Sequence, residues 1–199
     1  MTADRQPNFH AWVDESMRSS RDNSSENFYL LAATLISPED DDRIRSLVRR
    51  LPHRGIKLHW RDLNFRERTA VSESIAQLGL EQLIVAFGPF GSVNKQERAR
   101  AKCIERAIWE ANLLTVSHFV MERREENLNK RDRRLIDALR GAGKIPRDVW
   151  VEHEDPANEP LLWIPDVVLG SLGPAIIQHE EGGNPFLPNS TIVWVPGGA

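Results

Sequence analysis

Three carboxylates fall where predicted strands or helices end or begin, and such positions can hold an acidic side chain rigidly beside a cleft. Asp14 lies near the end of the alternating apolar and polar run of residues 9–16, and this alternation predicts a half-buried strand. Glu122 closes a later apolar run, and Asp166 falls in the first turn of the last predicted helix. If these three points converge, the acids would repel one another unless a divalent cation lay between them.

Metal-assisted phosphodiester hydrolysis needs such a convergence, because one or two Mg²⁺ or Mn²⁺ ions activate water and neutralise the leaving oxygen. The pattern therefore predicts Asp14, Glu122 and Asp166 as catalytic residues and metal ligands. For Asp14 the alternative is ordinary turn chemistry, since Asp and Ser are also common where strands end.

Lys57 and His59 alternate on one side of a predicted extended segment. They form the candidate substrate-binding pair, with Lys57 contacting a phosphate and His59 acting as a ligand or proton shuttle. The alternative is a polar sheet edge beside Trp60. Trp60 and Trp163 lie next to candidate site residues and are the two tryptophans that could stack a nucleic-acid base.

Other residues with reactive or ligating side chains are explained by folding. His118 lies inside an apolar strand and is expected to be a satisfied core histidine, and Cys103 is expected to pack on a helix face. The run 152–155 directly follows a predicted strand and is expected to be a solvent-exposed segment where the chain leaves that strand. The acids at 39–42 complement the positive end of a helix dipole.

Composition indicates a single folded domain of ordinary type. The chain has 199 residues, of which 40% are hydrophobic and 28% are charged. Its formal net charge of −3 gives no general attraction to nucleic acid. The region 97–140 holds eleven bases against eight acids, which favours a solvated helix face over a track for phosphates.

Sequence features bearing on location point to the cytoplasm. A single cysteine excludes an internal disulfide and a multi-cysteine zinc site. The first five residues are polar and contain no apolar signal core. No apolar run approaches the roughly 18 residues of a membrane span. We therefore expect a cytoplasmic protein that does not contact membranes.

Periodicity and capping signals predict strands and helices in a definite order. Ser37 and Pro38 fit the cap and first position of a helix, and Asn64 with Glu67 resembles a capping box. The polar loop 16–26 is either a mobile lid or a surface connection. The predicted strands are 9–16, 27–36, 81–87, 113–121 and 148–152, and the predicted helices begin near 37, 65, 94, 130 and 160.

This order predicts an α/β domain with a mixed five-stranded sheet flanked by helices. The first three strands should pair antiparallel, the later strands should be parallel, and a helical insertion separates strands two and three. The domain should span residues 1–180. The Gly/Pro-rich tail, 181–199, contains one short strand and is an edge strand, an arm for self-association or partner binding, or a poorly ordered segment.

Three short motifs, in order, resemble a bacterial family called domain of unknown function 3800. The family has an Asp-Glu-Ser-Gly strand end, a Lys-Leu-His segment and a late Ala-Asp-x-x-x-Gly motif. The chain offers Asp14-Glu15-Ser16-Met17, then Lys57-Leu58-His59, then Pro165-Asp166 followed at the same spacing by Gly170. The likeness covers roughly residues 8–175 and implies a ribonuclease H-like fold.

The chain departs from the family pattern at three positions. Met17 replaces the glycine, Pro165 replaces the alanine, and Glu122 stands where ribonuclease H-like enzymes usually have Asp. Glu is longer by one methylene and could bind a metal with altered reach. The resemblance also implies a fourth carboxylate on the helix after strand three, and both Glu97 and Glu105 could fill that position.

The resemblance implies a divalent-metal-dependent nuclease or related phosphodiester hydrolase that uses Mg²⁺ or Mn²⁺. The alternative from a different class is a non-catalytic ribonuclease H-like module that binds nucleic acid or a protein partner, in phage defence or mobile-element biology. A cation between the acids would favour catalysis, whereas neutralisation of a carboxylate by Arg or Lys would favour the binding module.

Overall fold

Eleven main helices and strands are seen in the computed structural model, which describes residues 9–19, 26–91, 95–179 and 182–197. In chain order they are β1 (His10–Ser19), β2 (Asn27–Ile36), α1 (Asp41–Val48), α2 (Phe65–Ala76), β3 (Glu81–Phe90), α3 (Gln96–Leu113), β4 (His118–Glu122), α4 (Glu126–Gly141), β5 (Trp150–Glu154), α5 (Trp163–Gln178) and β6 (Ser190–Pro196). Short 3₁₀ turns at Trp60–Asp62 and Pro160–Leu162 lie beside the candidate site.

The strands form one mixed sheet in the order β5-β4-β1-β2-β3-β6. β1 pairs antiparallel with β2, and β2 pairs antiparallel with β3. β4 is parallel to β1, and β5 is parallel to β4. The predicted change from antiparallel to parallel pairing is therefore confirmed, as are the helices between β2 and β3.

The predicted number of strands, five, is wrong because the strand in the tail belongs to the sheet. β6 pairs in parallel with β3 from Gln82↔Ser190 to Gly88↔Pro196. Of the three structures considered for the tail strand, the edge strand is the one observed.

Helices cover both faces of the sheet, and residue parity along β1 assigns each side chain to one face. Ala11 and Val13 pack in the core beneath α3 and α4. Trp12 packs in the second core, beneath α5, α1 and α2. Because successive strand side chains point to opposite faces, Asp14 faces the α5 layer and Glu15 faces the α3 layer.

α5 is the most apolar helix of the fold. With the turn before it, the segment Pro160–Gln178 is, within the described residues, the one helix long and apolar enough to cross a membrane. About 67% of its most apolar window is buried inside the fold, where it packs on β1 and β2. A helix in the centre of a core passes the same test of length and composition.

Several predicted boundaries differ from the structure: β3 runs to Phe90 and not to 87, β5 covers Trp150–Glu154 and not 148–152, and α4 begins at Glu126 and not near 130. β1 continues to Ser19, paired with Asn27, so its acids lie within the strand and not at its end. α1 begins at Asp41, and Ser37 instead accepts a hydrogen bond from the Asp40 amide (2.8 Å) to close a turn. Ser followed by Pro is also the signature of a type I turn, which explains the difference.

Of the other predicted boundaries and caps, some are confirmed and one is shifted by the length of a neighbouring helix. β2 has the predicted bounds, and the Asn64–Glu67 capping box of α2 is confirmed. β4 begins only at His118 because α3 continues to Leu113. The predicted cap of α3 at Asn94, and residues 20–25 of the predicted polar loop, lie outside the described residues.

Candidate active site

The three predicted acids line a single cleft of about 490 Å³. Asp14 comes from β1, Glu122 is the last residue of β4, and Asp166 lies in the first turn of α5. The cleft opens at this point because β4 pairs with β1 only as far as Val13↔Met121. Asp14 is therefore the first β1 residue without a β4 neighbour, although β1 itself continues.

Asp14 is the most buried of the three acids, with a residue exposure of 7%. One carboxylate oxygen accepts a hydrogen bond from the Glu15 amide at 2.7 Å. Burial raises the pKa of Asp14 well above its ordinary value, and the charges of Glu15, Glu122 and Asp166 raise it further. Each of these three carboxylates therefore lies close enough to Asp14 to repel its charge.

Glu122 and Asp166 each have a basic neighbour from the segment before α2. Lys57 Nζ lies 3.3 Å from Glu122 Oε1. His59 Nδ1 lies 3.1 Å from Asp166 Oδ2, and the same oxygen accepts a hydrogen bond from the Trp60 amide at 2.7 Å. The hydrogen bond with Asp166 raises the pKa of His59, although partial burial of the ring opposes the rise.

The segment that carries Lys57 and His59 forms one wall of the cleft, as the predicted alternation requires. Leu58, between them, is buried in the core, so the two polar side chains face the cleft together. Trp60 packs directly on Gly170 of α5, where a Cβ atom would lie 2.1 Å from the indole ring. Trp163 also lines the cleft, and its indole N–H donates to the Pro156 carbonyl.

Sequence reasoning missed the ion network behind the cleft, on the opposite face of β1. Arg100 of α3 is 1% exposed and forms ion pairs with Glu15 and with Asp132 of α4. Arg124 joins the same two acids at longer distances. Because Arg100 lies 85 positions from Glu15, no local pattern could have paired them.

Neither candidate for the fourth carboxylate lines the cleft. Glu97 pairs with Arg124 at 2.9 Å. Glu105 pairs with Lys102 and Lys144, and these contacts lower its pKa. Glu15 also contributes to the lining of the cleft as the next residue of β1, but its carboxylate is paired with Arg100 on the opposite face of the strand.

The residues assigned to folding have structural partners. Cys103 is fully buried, and burial raises the pKa of its thiol. His118 Nε2 lies 2.7 Å from Glu152 Oε1, so this histidine is paired with an acid on the next strand. The predicted exit from the strand at 152–155 is wrong, because β5 continues to Glu154. Within it the His153 side chain is buried and bonds Asp132 at 3.2 Å.

The donor atoms of the cleft suit a hard divalent cation, since carboxylate oxygens are the ligands that Mg²⁺ and Mn²⁺ prefer. Within the ranges that the structure describes, however, no group of three His, Cys, Asp or Glu side chains has metal-binding geometry. A cation at Glu122 would have to displace Lys57. The residues fit such an ion chemically without being arranged around it.

Comparison with known proteins assigns no family to this chain. No protein-family model matches it, and a search of curated proteins finds no match. The ribonuclease H-like resemblance therefore rests on the three motifs alone.

Proposed function

We propose that the cleft is the active site of a divalent-metal-dependent nuclease or related phosphodiester hydrolase with a ribonuclease H-like fold. One observation carries this proposal: the buried Asp14 lies in the same cleft as Glu122 and Asp166, and the charges of both raise its pKa. The strand order supports the fold assignment, because three antiparallel strands precede parallel strands added beside β1.

Asp14, Glu122 and Asp166 are the residues that would hold Mg²⁺ or Mn²⁺. A bound ion would supply activation of water and neutralisation of the leaving oxygen. It would also relieve the repulsion that raises the pKa of Asp14. Asp14 comes from a central strand anchored on its other face, so it is the most rigid of the three ligands.

Lys57 and His59 would serve the substrate. Lys57, now paired with Glu122, would be free to contact a substrate phosphate if the acids held a cation. His59 keeps its proton to higher pH because Asp166 accepts a hydrogen bond from it, so it can donate a proton to a leaving oxygen.

A second candidate function is a non-catalytic module that binds nucleic acid or a protein partner. The Lys57–Glu122 ion pair favours it, because a carboxylate neutralised by lysine does not need a metal. In this function Lys57 provides affinity and Asp14 opposes the binding of a polyanion.

The two functions predict opposite rankings of two variants. For a nuclease, Asp14→Asn should reduce cleavage by several orders of magnitude. Lys57→Ala should mainly weaken binding and reduce the salt slope by about one unit. For a binding module, Asp14→Asn should leave affinity unchanged or increase it, and Lys57→Ala should be the damaging change. Cleavage and affinity are measured on single-stranded and duplex DNA and RNA, with Mg²⁺ and with Mn²⁺.

Matched controls are available outside the cleft. Asp148→Asn and Lys130→Ala change the same residue types on exposed positions and should leave cleavage and affinity unchanged. Thermal unfolding adds a second readout: a cation at 100 times its Kd should stabilise the fold by about 2.7 kcal/mol. Asp14→Asn should lose this gain and melt higher than the unsubstituted protein without metal. An equal metal-induced shift in both proteins would contradict the proposed site.

A further inference from the structure

Beside the cleft lies a second cavity of about 590 Å³, here called the outer groove. The two cavities share four wall residues, Arg18, Trp60, Arg68 and Gly170. They are therefore adjacent, and the contact of Trp60 with Gly170 lies between them. A polymer whose reacting bond lies at Asp14 could continue past this contact into the outer groove, beside α2 and α5.

One face of α2 forms the wall of the outer groove. Phe65, Arg68, Thr69 and Ser72 recur at intervals of three and four residues, so they lie on the same side of the helix. The residues facing the core are instead Val71 and Ile75. The buried Ser72 hydroxyl has no hydrogen-bond partner within the described ranges, which leaves a polar group at the groove wall unsatisfied.

Phe65, the first residue of α2, is the most exposed large apolar side chain in the part of the chain that the structure describes. It is 83% exposed, so its ring contributes almost nothing to the core. The Asn64–Glu67 capping box fixes the backbone at this point, with both hydrogen bonds formed. The result is an aromatic ring on a rigid support with an open face.

Positive charge lies between this ring and the acids. Arg68 stacks over Trp60 at 5.1 Å and donates to the Trp60 carbonyl at 3.2 Å. Arg61 is exposed beside it. Neither arginine has a carboxylate partner among residues 9–19, 26–91, 95–179 and 182–197. Among the described residues that line the outer groove, Glu73 is the one acid.

We propose that the outer groove binds the nucleotides that flank the reacting bond as a single strand, with Phe65 stacking a base and Arg68 and Arg61 contacting phosphates. This inference rests on the proposed function, since it takes the acids as the site of reaction. Cationic grooves with exposed aromatic rings bind single strands because every unpaired base offers a face for stacking. A duplex keeps those faces covered by neighbouring base pairs.

The test is the affinity of the full chain for a fluorescent single-stranded oligonucleotide and for a duplex of the same sequence, in EDTA so that binding is separated from cleavage. Phe65→Ala should weaken binding of the single strand by about 5- to 100-fold and leave duplex affinity unchanged. Trp150→Ala is the matched control, because Trp150 is 61% exposed on β5 and lies outside both cavities.

Arginine variants test the phosphate contact separately. Arg68→Gln should reduce the salt slope by about one unit, whereas Arg66→Gln, on another side of α2, should not. Duplex binding as tight as single-strand binding, or equal effects of Phe65→Ala and Trp150→Ala, would overturn the inference. If either of these results came with Asp14-dependent cleavage of duplexes, the inference about the outer groove would be wrong but the proposed nuclease function would still hold. Phe65-dependent binding without any cleavage would support the groove and contradict the nuclease.

Discussion

Within the described residues, the charges of three carboxylates raise the pKa of Asp14 and no cation pairs with it, whereas Glu122 and Asp166 each lie beside a base. The difference arises from position, because Asp14 is on the floor of the cleft and Lys57 and His59 come from its wall. Because Lys57 and His59 compensate Glu122 and Asp166 but not Asp14, Asp14 is a buried acid beside which a bound cation would be favourable.

The pairing of His59 with Asp166 should appear as a pH-dependent contribution to stability. The pKa of His59 is raised from 6.5, so the stabilisation is complete below about pH 6.5 and is lost as pH rises through the folded value. His59→Gln should therefore lower Tm more in mildly acidic than in alkaline buffer. The effect should be on the order of 0.5 kcal/mol, because the ring is 37% exposed and solvent screens the pair.

The same substitution in an Asp166→Asn background identifies the partner. There the change in Tm caused by His59→Gln should no longer depend on pH, since the carboxylate that raises the pKa is gone. A pH-dependent change that persists in this background would assign the effect to another group.

The sequence predicted which single residues would share a cleft better than it predicted their partners. Asp14, Glu122 and Asp166 could be found because alternation and helix starts mark their positions locally. Their role as metal ligands stays a prediction. The Arg100–Glu15 pair could not be found, because it joins distant parts of the chain through a contact that only the packed fold creates.

At the scale of elements, the Arg100 network ties α3, α4 and β1 together behind the cleft. Hydrogen bonds from His153 and Arg100 lower the pKa of Asp132 even though its burial opposes this. Arg100 also bonds the Tyr29 hydroxyl of β2. Four elements thus contact the buried guanidinium of Arg100, which holds the α3-facing side of β1 in place.

Removing that cation should be strongly destabilising. Arg100→Met leaves Glu15 and Asp132 buried with less compensation, and breaking a buried ion pair in this way costs about 3–5 kcal/mol. Arg98→Met, two residues away on the exposed side of α3, should cost less than about 0.5 kcal/mol. Urea unfolding of both variants gives the comparison, and similar losses would show that the network contributes little.

Local signals predicted elements where one physical effect dominated. The capping box of α2 combines two reciprocal hydrogen bonds, and the structure contains both. The start of α1 was wrong because Ser37 and Pro38 suit a turn as well as a helix cap, and local sequence cannot weigh the two. The extent of β1 was wrong because its polar end is stabilised by pairing with β2.

For the whole molecule, the sixth strand completes the sheet beyond β3. Val193 packs into the α3 core and Ile192 into the α5 core, so β6 contributes to both layers. The Gly/Pro-rich composition around it concealed this role, since a pairing across about a hundred residues leaves no local trace. The sheet's mixed character was predicted, but its width was not.

β6 should therefore be necessary for stability. Val193→Asp places a charge at a partly buried position against the α3 core and should cost about 1–3 kcal/mol, enough to lower Tm by several degrees. Thr191→Asp, on an exposed position of the same strand, should be nearly neutral. The change is measured by thermal unfolding with circular dichroism. A neutral Val193→Asp would mean that β6 is dispensable.

Asp14 and Glu15 are adjacent in the chain but face opposite layers of the sheet. The order of these two residues therefore decides that the shorter side chain, Asp14, lies on the α5 side of the sheet and the longer one, Glu15, on the α3 side. Exchanging them would keep composition, net charge and hydropathy identical. It would nevertheless move the shorter carboxylate to Arg100 and the longer one to the cleft. The side of the sheet on which each acid lies thus depends on whether its position along β1 is odd or even, and no measure of composition can detect this.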